Sequence, residues 1–350
     1  MARTLLLWVF LLAAAIGLIS AERHLQRQEQ EARDASHRIG RLIPAADRER
    51  LSVAAIRVGP ADGPRHLYSP VSGVWRCQTH FNAVAGEEAV QGLLKSLLEG
   101  EGVVQSTDPA RAGEYGIGLP DSWRLQLLGP SGATQFEVEL GARIPSIGGC
   151  YVRRSDHSAV WALDTDPWEP LQVDPAGVRP PLLDPHVIPR IWPGKSRRVD
   201  RLVLARAGEP PLELIMEELR ISEEEMRAGK SPYIWHLRIG DQEASASDRN
   251  AMAYFGFLLQ IPFVRVLDPA EARGFGLDES RTRVTLYPAE GHPAELRLGS
   301  RLPSGNLPLL NLETGMLFEV TPDIAALVVP DAKLLLGSAE TNPWETQMRR

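Results

Sequence analysis

The chain has little cysteine and no excess of positive charge. Its 350 residues include two cysteines, and 38 Lys+Arg stand against 45 Asp+Glu, which gives a formal net charge of −7. Two thiols are too few for a disulfide-stabilised scaffold or a four-thiol zinc site. A mildly acidic chain has no electrostatic attraction for phosphate backbones, so we expect no nucleic-acid partner.

Sequence motifs that carry familiar chemistries are also missing. The chain has no Gly-x-Ser-x-Gly elbow, no complete Gly-x-x-x-x-Gly-Lys-Ser/Thr phosphate loop and no His-Glu-x-x-His. Gly116-Ile117-Gly118 lacks the third glycine of a dinucleotide fingerprint and is typical of a turn that ends a helix. We therefore expect a protein that is not an enzyme, with no catalytic, cofactor-binding or metal-binding residues.

The two cysteines leave two interpretations open. Cys77-x-x-His80 and Cys150 with His157 come nearest to a zinc set, but their spacing matches no common ligand pattern. Cys77 and Cys150 form either one disulfide, in an oxidising compartment, or two buried apolar thiols. We favour the buried thiols.

An apolar run without charges begins the chain. It extends over 17 residues from Thr4 to Ser20, and as a helix it is roughly 25 Å long, close to a bilayer core of about 30 Å. The alternatives are a cleaved signal peptide and an uncleaved anchor. Cleavage after Ala21 would put the large Ile19 at the −3 position, which favours a transmembrane anchor at residues 1–21.

The charges around this run are ambiguous about orientation. One arginine precedes it and five follow it by residue 41, so a literal count keeps the C-terminal side in the cytoplasm. The rule weakens for long translocated domains. We favour a single-pass protein of the cell inner membrane whose body faces the periplasm or the cell exterior, with the cytoplasmic membrane as partner through the N-terminal helix.

Residues 22–49 are polar and favour helix. Leu25, Ala32 and Ile39 are spaced by seven, which is fewer heptads than a coiled coil requires. We favour a solvated helical stalk, with weak homo-oligomerisation through it as the alternative.

An internal repeat is the strongest signal in the sequence. Residues 108–117 recur 160 residues later at 268–277: both copies have Asp-Pro-Ala, and both have an aromatic-Gly-aliphatic ending. Further matches in the same order are Trp75 with Trp235 and 140–146 with 298–304. So many matches in one order indicate a duplicated folding unit.

Both copies predict short alternating strands with one main amphipathic helix. The helix of the first copy carries Val90, Leu93 and Leu97 at helical spacing, and that of the second follows Ser247 as N-cap. Many strands with few crossovers favour an α+β fold. We expect two tandem, homologous, mainly antiparallel β-rich modules, each with one main amphipathic helix, behind an N-terminal transmembrane helix.

The copies set the expected boundaries. Eight prolines in 165–198 block helices and central strands there, and apolar residues among them favour a strap lying on a domain over a free linker. The acidic stretch 217–230 predicts an extra surface helix. The expected segments are the anchor (1–21), the stalk (22–49), module 1 (50–164), the Pro-rich linker or strap (165–198), module 2 (199–330) and a C-terminal tail (331–350).

Four repeated residues are candidate binding residues. Arg143 and Arg301 each follow Leu-Gly and an intervening small residue, and each precedes an apolar residue and Pro-Ser. They either grip a carboxylate or fix a turn through backbone carbonyls. Trp75 and Trp235 occupy equivalent strand positions, where they either form an aromatic ligand platform or pack in the core.

The order of these features resembles a bacterial membrane-anchored family with a duplicated domain of unknown function. The matching residues of the first copy are Trp75, Asp108, Tyr115, Gly116, Ile117, Leu140, Gly141, Tyr151 and Val152. Those of the second copy are Trp235, Asp268, Phe275, Gly276, Leu277, Leu298 and Gly299. The resemblance covers about residues 50–330 and the anchor. Copy two departs from it with Leu309 and Leu310 in place of the Tyr-Val pair.

Genes of that family often lie beside components of gliding-motility-like ABC exporters. The resemblance therefore implies a non-catalytic scaffold or binding subunit of the envelope, associated with an ABC-type transporter, and implies ABC transporter subunits as partners. The alternatives are a hydrolase acting on envelope polysaccharide or peptide, and a solute-binding module that uses the cleft between the repeats. A pocket with converging acids in only one copy would favour the hydrolase.

Overall fold

The computed structural model describes residues 39–174, 177–189, 199–228, 232–337 and 342–348. The apolar run at 4–20 and the stalk up to residue 38 lie outside this part. Among the described residues, no helix has both the length and the apolar character needed to cross a bilayer.

Residues 39–174 contain ten strands and a few short helices. Its elements are β1 (Ile39–Arg41), α1 (Ala45–Arg48), β2 (Ala55–Pro60), β3 (His66–Val71), β4 (Val74–Cys77), β5 (Ala83–Val84), α2 (Glu87–Glu99), β6 (Glu101–Ser106), a 3₁₀ helix (Pro109–Tyr115), β7 (Trp123–Leu128), β8 (Thr134–Ile144), β9 (Gly149–Arg154), β10 (Val160–Leu163) and α3 (Trp168–Leu171).

The part after residue 198 repeats this pattern. Its elements are β11 (Val199–Ala205), β12 (Leu212–Glu218), α4 (Glu223–Arg227), β13 (Tyr233–Ile239), β14 (Gln242–Ser245), α5 (Asp248–Leu258), β15 (Arg265–Leu267), a 3₁₀ helix (Pro269–Phe275), β16 (Arg283–Pro288), β17 (Ala294–Leu298), β18 (Leu307–Asn311), β19 (Met316–Val320), α6 (Pro322–Val328), α7 (Ala332–Leu335) and α8 (Pro343–Met348).

The strands form two antiparallel sheets, of ten and nine strands. The predicted α+β class with mainly antiparallel sheets is confirmed. By contacts the described residues divide into two compact units: the first contains those up to Arg65 and Gln91–Leu171, and the second contains His66–Val90 and those from Gln172 onward.

Strand order is the same in the two units. The first unit has the order β6-β10-β9-β8-β7-β2, with β1 added beside β6, and the second has β15-β19-β18-β17-β16-β11. In the second unit the sheet continues from β11 through β12, β13 and β14. The same unit contains β3, β4 and β5, and β4 pairs with β3 and with β5 just as β13 pairs with β12 and with β14.

One face of each sheet is apolar. In the first unit Val58, Leu125, Val138 and Val152 are fully buried on neighbouring strands. Their neighbours in sequence include Arg57, Arg124, Gln126, Glu137, Glu139 and Arg153. Val90, Leu93 and Leu97 of α2 are buried as the helical spacing predicts. The Ser247 side chain accepts a hydrogen bond from the Asn250 N–H and starts α5 at the predicted place.

The repeated Asp-Pro segments form the predicted turns. Asp108 and Asp268 cap the two 3₁₀ helices, each accepting a hydrogen bond of 2.9 Å from the N–H two residues on. Gly116 and Gly276 end them at φ values of +74° and +69°, in the left-handed region.

The repeated Leu-Gly pairs are explained by a close approach of backbone. A Cβ atom at Gly299 would lie 2.7 Å from the carbonyl oxygen of Phe275, and one at Gly141 would overlap the carbonyl oxygen of Tyr115. In the second unit the Ser300 N–H donates to that Phe275 oxygen at 2.9 Å. The glycine therefore lets the strand seat against the end of the 3₁₀ helix.

Two segments differ from the sequence predictions. Residues 39–41, within the predicted helical stalk, form strand β1, because Gly40 fits under the Trp161 ring and the following Leu42 and Ile43 are buried. In the stretch 217–230, residues 217–218 extend strand β12 and the helix is confined to Glu223–Arg227, where Ser222 and Glu225 form a capping box.

Residues 177–189 of the proline-rich segment belong to the second unit and pack in it as a strap. Leu182, Leu183, Val187 and Ile188 are buried, and Leu183 bridges to Ala85. Two contacts match across the repeat: the Gly86 N–H donates to the Leu182 carbonyl at 2.8 Å, and the Ser247 N–H donates to the Leu335 carbonyl at 2.9 Å. Ile191 and Trp192, which were expected to join the strap, lie outside the described residues.

Candidate functional site

A charged pocket of about 460 Å³ opens on the first unit, beside the end of β9 and the loop that follows it. It is lined by Pro109, Arg124, Glu137, Glu139, Arg153, Arg154, Ser155, Asp156, His157 and Ser158. Three arginines and three carboxylates therefore share one concave surface.

Strand alternation brings these charges together. Leu125 and Val138 point to the core, so Arg124 of β7 and Glu137 and Glu139 of β8 lie on the other face. In the register of the sheet, Arg124 pairs with Glu139 and Gln126 pairs with Glu137.

Glu139 is the most buried carboxylate of the pocket. One oxygen accepts from the Gly118 N–H at 2.5 Å and the Ser122 hydroxyl at 2.8 Å, and the other accepts from Arg153 at 2.7 Å. Burial by itself raises the pKa of Glu139, but the hydrogen bonds from Ser122, Arg153 and Gly118 outweigh it and lower the pKa below its usual value. The group is therefore an ionised clamp for the loop around residue 118.

Arg154 and Asp156 form the wall of the pocket at the end of β9. The guanidinium donates to both carboxylate oxygens, at 2.9 and 2.5 Å, and also to the Leu42 carbonyl at 3.2 Å. The hydrogen bonds from Arg154 to the carboxylate lower the pKa of Asp156. On its other side the same pair borders a second pocket of about 400 Å³, which Asp47, Arg50 and Gln135 also line.

Two charges of the pocket are left without a countercharge. The Arg124 guanidinium makes no hydrogen bond or ion pair with any residue that the structure describes, although it is half-buried. Glu137 accepts a hydrogen bond of 2.9 Å from the neutral amide of Gln126, whose oxygen is held by Arg57 at 3.2 Å. The pocket thus presents one free cation and one carboxylate with only a neutral partner.

The second unit does not reproduce this constellation. In its register Arg297 stands where the first unit has Glu139, and Leu310 and Asn311 stand where it has Arg153 and Arg154. Arg297 pairs with Glu295 on its own strand at 2.7 Å. The strand order is repeated, and Arg283 and Glu295 keep the charges of Arg124 and Glu137, but the charges of Glu139, Arg153 and Arg154 are not reproduced.

The two repeated arginines have different surroundings. Arg143 pairs with Asp166 at 3.1 Å. Arg301 is exposed and lines a groove of about 490 Å³ in the second unit, beside Arg206. Arg206 is itself held by the Val329 and Pro330 carbonyls at 2.6 and 2.7 Å.

The two repeated tryptophans are core residues by position. Trp75 is 9% exposed and Trp235 is 2% exposed. The Trp235 ring packs against Phe255 with centroids 4.6 Å apart. In both repeats the tryptophan carbonyl accepts from the backbone ten or eleven residues on, at Ala85 and Ala246.

The two cysteines do not line the charged pocket, and neither do His66 and His80. Cys77 and Cys150 are both free and buried, and burial raises the pKa of each thiol. His66 and His80 lie with ring centroids 6.3 Å apart. Within the described part of the chain, no group of three or more possible metal-ligating side chains occurs.

Comparison with known proteins gives no relative. The chain matches no family model, no curated protein and no solved structure. Apart from His157, which the sequence analysis considers with Cys150, the pocket residues are not among the sequence candidates. The signal for Arg124, Glu137 and Glu139 is the alternation at 123–127 and 135–140, where every second residue of an apolar strand is charged or an amide.

Proposed function

We propose that this protein is a non-catalytic scaffold or binding subunit of the cell envelope, built from two tandem homologous modules behind a single-pass anchor. Its body would face the periplasm or cell exterior, and its partners would be subunits of an ABC-type exporter. The assignment of exporter subunits as partners rests on the resemblance to the membrane-anchored family, which is carried by residues such as Trp75, Asp108, Gly116 and Gly141.

The observation that carries the proposal is the repetition of strand order with only partial repetition of the pocket residues. Six strands follow one another identically in both units, and the Asp-capped 3₁₀ helices recur. Arg297, Leu310 and Asn311 replace Glu139, Arg153 and Arg154 in the second unit, while Arg283 and Glu295 keep the charges of Arg124 and Glu137. A duplicated frame with one specialised surface suits a scaffold that displays a binding site.

The hydrolase alternative has one observation in its favour, since a pocket with three carboxylates exists in the first unit. A general acid at neutral pH, however, needs a carboxyl group whose pKa is raised. The pKa values of Glu139 and Asp156 are both lowered by their arginine partners. These carboxylates therefore favour binding and structure over proton transfer.

Orientation is tested with one engineered cysteine. Because Cys77 and Cys150 are buried, a membrane-impermeant thiol reagent reports on an added exposed thiol such as Ser131→Cys. We expect labelling on cells with a permeabilised outer layer and an intact inner membrane. Labelling only after lysis of that membrane would overturn the proposed orientation.

Association with a transporter is tested by affinity capture of the full chain from detergent-solubilised membranes. We expect an ATPase and a permease in amounts comparable to the bait, and neither with an unrelated single-pass bait. Capture of the bait without either subunit contradicts the exporter assignment.

A further inference from the structure

We propose that the pocket of the first unit binds a zwitterion of amino-acid type, with Arg124 holding the carboxylate and Glu137 holding the ammonium group. The inference goes beyond the scaffold role, which requires no small ligand. It rests on the juxtaposition of two uncompensated charges of opposite sign in one cavity.

The other charged groups of the pocket are paired with one another. Arg153 is engaged by Glu139, and Arg154 is engaged by Asp156 through two hydrogen bonds. These pairs neutralise one another and stiffen the wall. What remains available to a ligand is the guanidinium of Arg124 and the carboxylate of Glu137.

Arg124 and Glu137 lie near each other on one face of the sheet. Arg124 is opposite Glu139, and Glu137 is two residues away on the same strand, so Arg124 and Glu137 are diagonal neighbours on one face. Such neighbours are about 7–8 Å apart at the backbone. The two side chains nevertheless form no ion pair with each other among the described contacts. A ligand that carries both charges a few ångströms apart can satisfy both groups together.

Arg124 and Glu137 can each make a charge-assisted hydrogen bond to one end of a zwitterion. A guanidinium binds a carboxylate through two parallel hydrogen bonds, and a carboxylate accepts from an ammonium group. Glu137 uses one oxygen for Gln126, which fixes the carboxylate and leaves the other oxygen for the ligand. The hydroxyl groups of Ser155 and Ser158 supply neutral polar lining.

The pocket is large enough for such a ligand. The cavity volume of about 460 Å³ lies within the range of about 300–1,000 Å³ usual for small-molecule sites. It accommodates a free amino acid or a short peptide. A simple anion would leave Glu137 without a countercharge, so the zwitterion is the better occupant.

The second unit supplies matched controls. Arg283 holds the position of Arg124 in the register, and Glu295 holds that of Glu137. Arg283 is exposed, and Glu295 is already paired with Arg297. Arg283→Gln and Glu295→Gln therefore make the same charge changes at equivalent positions outside the pocket.

The test is calorimetric titration of the full chain in detergent micelles. The probes are L-alanyl-L-alanine, its C-terminal amide, which lacks the carboxylate, and its N-acetyl derivative, which lacks the ammonium group; inorganic phosphate represents simple anions. We expect saturable binding of the free dipeptide and an affinity at least about tenfold lower for each blocked form, the loss expected when a charged hydrogen-bonding partner is removed.

The variants assign the contacts. Arg124→Gln and Glu137→Gln should each weaken the free dipeptide by at least about tenfold, while Arg283→Gln and Glu295→Gln leave it unchanged. Arg124→Gln should have no effect on what binding the amide retains, because the amide makes no use of the guanidinium.

Four results would overturn the proposal. Three are no saturable binding of the free dipeptide, equal binding of the blocked forms, and equal losses in the pocket variants and their second-unit controls. The fourth is phosphate binding as tight as dipeptide binding, which would replace the zwitterion with a simple anion. All these measurements use purified protein, so their failure is distinct from a failure of the transporter assignment.

Discussion

The guanidinium of Arg153 lies 2.7 Å from the carboxylate of Glu139, at directly paired positions of β9 and β8. Glu139 is 7% exposed, and its other oxygen holds the loop at Gly118 and Ser122. One ion pair thus links two strands to the loop that follows the 3₁₀ helix. This link ties the pocket floor to the repeated turn.

Removal of Arg153 should therefore cost stability. Arg153→Met leaves Glu139 buried with two neutral donors, and we expect a loss of about 1–3 kcal/mol in the free energy of unfolding. Arg41→Met, which breaks the exposed pair with Glu101, is the control and should cost about 0–1 kcal/mol. Urea titration followed by circular dichroism measures both, and equal losses would contradict the role of the buried pair.

The same carboxylate predicts an acid-dependent loss of stability. Because the pKa of Glu139 in the folded protein is below its ordinary value of 4.5, its contribution is present above that pH and is lost as the pH falls through the folded pKa. Glu139→Gln should be less stable than the parent at pH 7, and its stability should fall less between pH 5 and pH 3. A parallel decline of both proteins would refute this assignment.

The close approach at Gly141 gives a prediction for the repeated Leu-Gly motif. Gly141→Ala forces a methyl group against the Tyr115 carbonyl and the Ile117 side chain, and overpacking of this kind costs about 1–3 kcal/mol. Gly113→Ala is the control in the same unit, because a Cβ there meets only Leu119 at 4.0 Å. Gly113→Ala should be neutral or slightly stabilising. Thermal unfolding compares the two.

Local chemistry made much of the fold predictable. Asp108 and Gly116 act through hydrogen bonds and backbone geometry within ten residues, so the turn was readable from their types. The period of Val90, Leu93 and Leu97 predicted α2, and the order of repeated motifs predicted a second set of strands. The α+β class followed from these elements.

What escaped prediction depends on pairing between distant segments. Gln242–Ser245 is wholly exposed and has no apolar alternation, so only its register with β13 makes it a strand. Ile39 lies at a heptad spacing from Leu25 and Ala32, and its pairing with Val103 of β6 has no local signal. Alternation places Arg124 and Glu137 on the polar faces of their strands, but only the sheet register shows that these two residues are neighbours.

The histidine pair predicts a second pH dependence, near neutrality. Burial lowers the pKa of His66 and of His80, and for His80 the neighbouring His66 adds to the effect. The Nδ1 atom of His66 and the Nε2 atom of His80 are buried, and neither has a hydrogen-bond partner in the described part of the chain. The unfolded chain, with a pKa of about 6.5, therefore binds protons first as the pH falls.

Stability should accordingly be complete above about pH 6.5 and should decline as the pH is lowered through the folded pKa values. His66→Leu with His80→Leu should flatten the melting temperature between pH 7 and pH 5. A slope that is the same in the double variant and the parent would contradict the prediction.

The segment predicted as a tail, 331–350, holds the largest fully buried side chain of the described residues. Trp344 is fully buried, its ring lies 5.1 Å from that of Tyr254, and its Nε1–H donates to the Leu327 carbonyl at 3.2 Å. Trp344→Ala should destabilise the second unit by about 3–5 kcal/mol, as expected for a buried indole. Met348→Ala, on the same helix but partly exposed, should cost well under half of that. Limited proteolysis and thermal unfolding distinguish the two outcomes: cleavage near α8 that is equally slow in both variants would show that Trp344 does not anchor the helix.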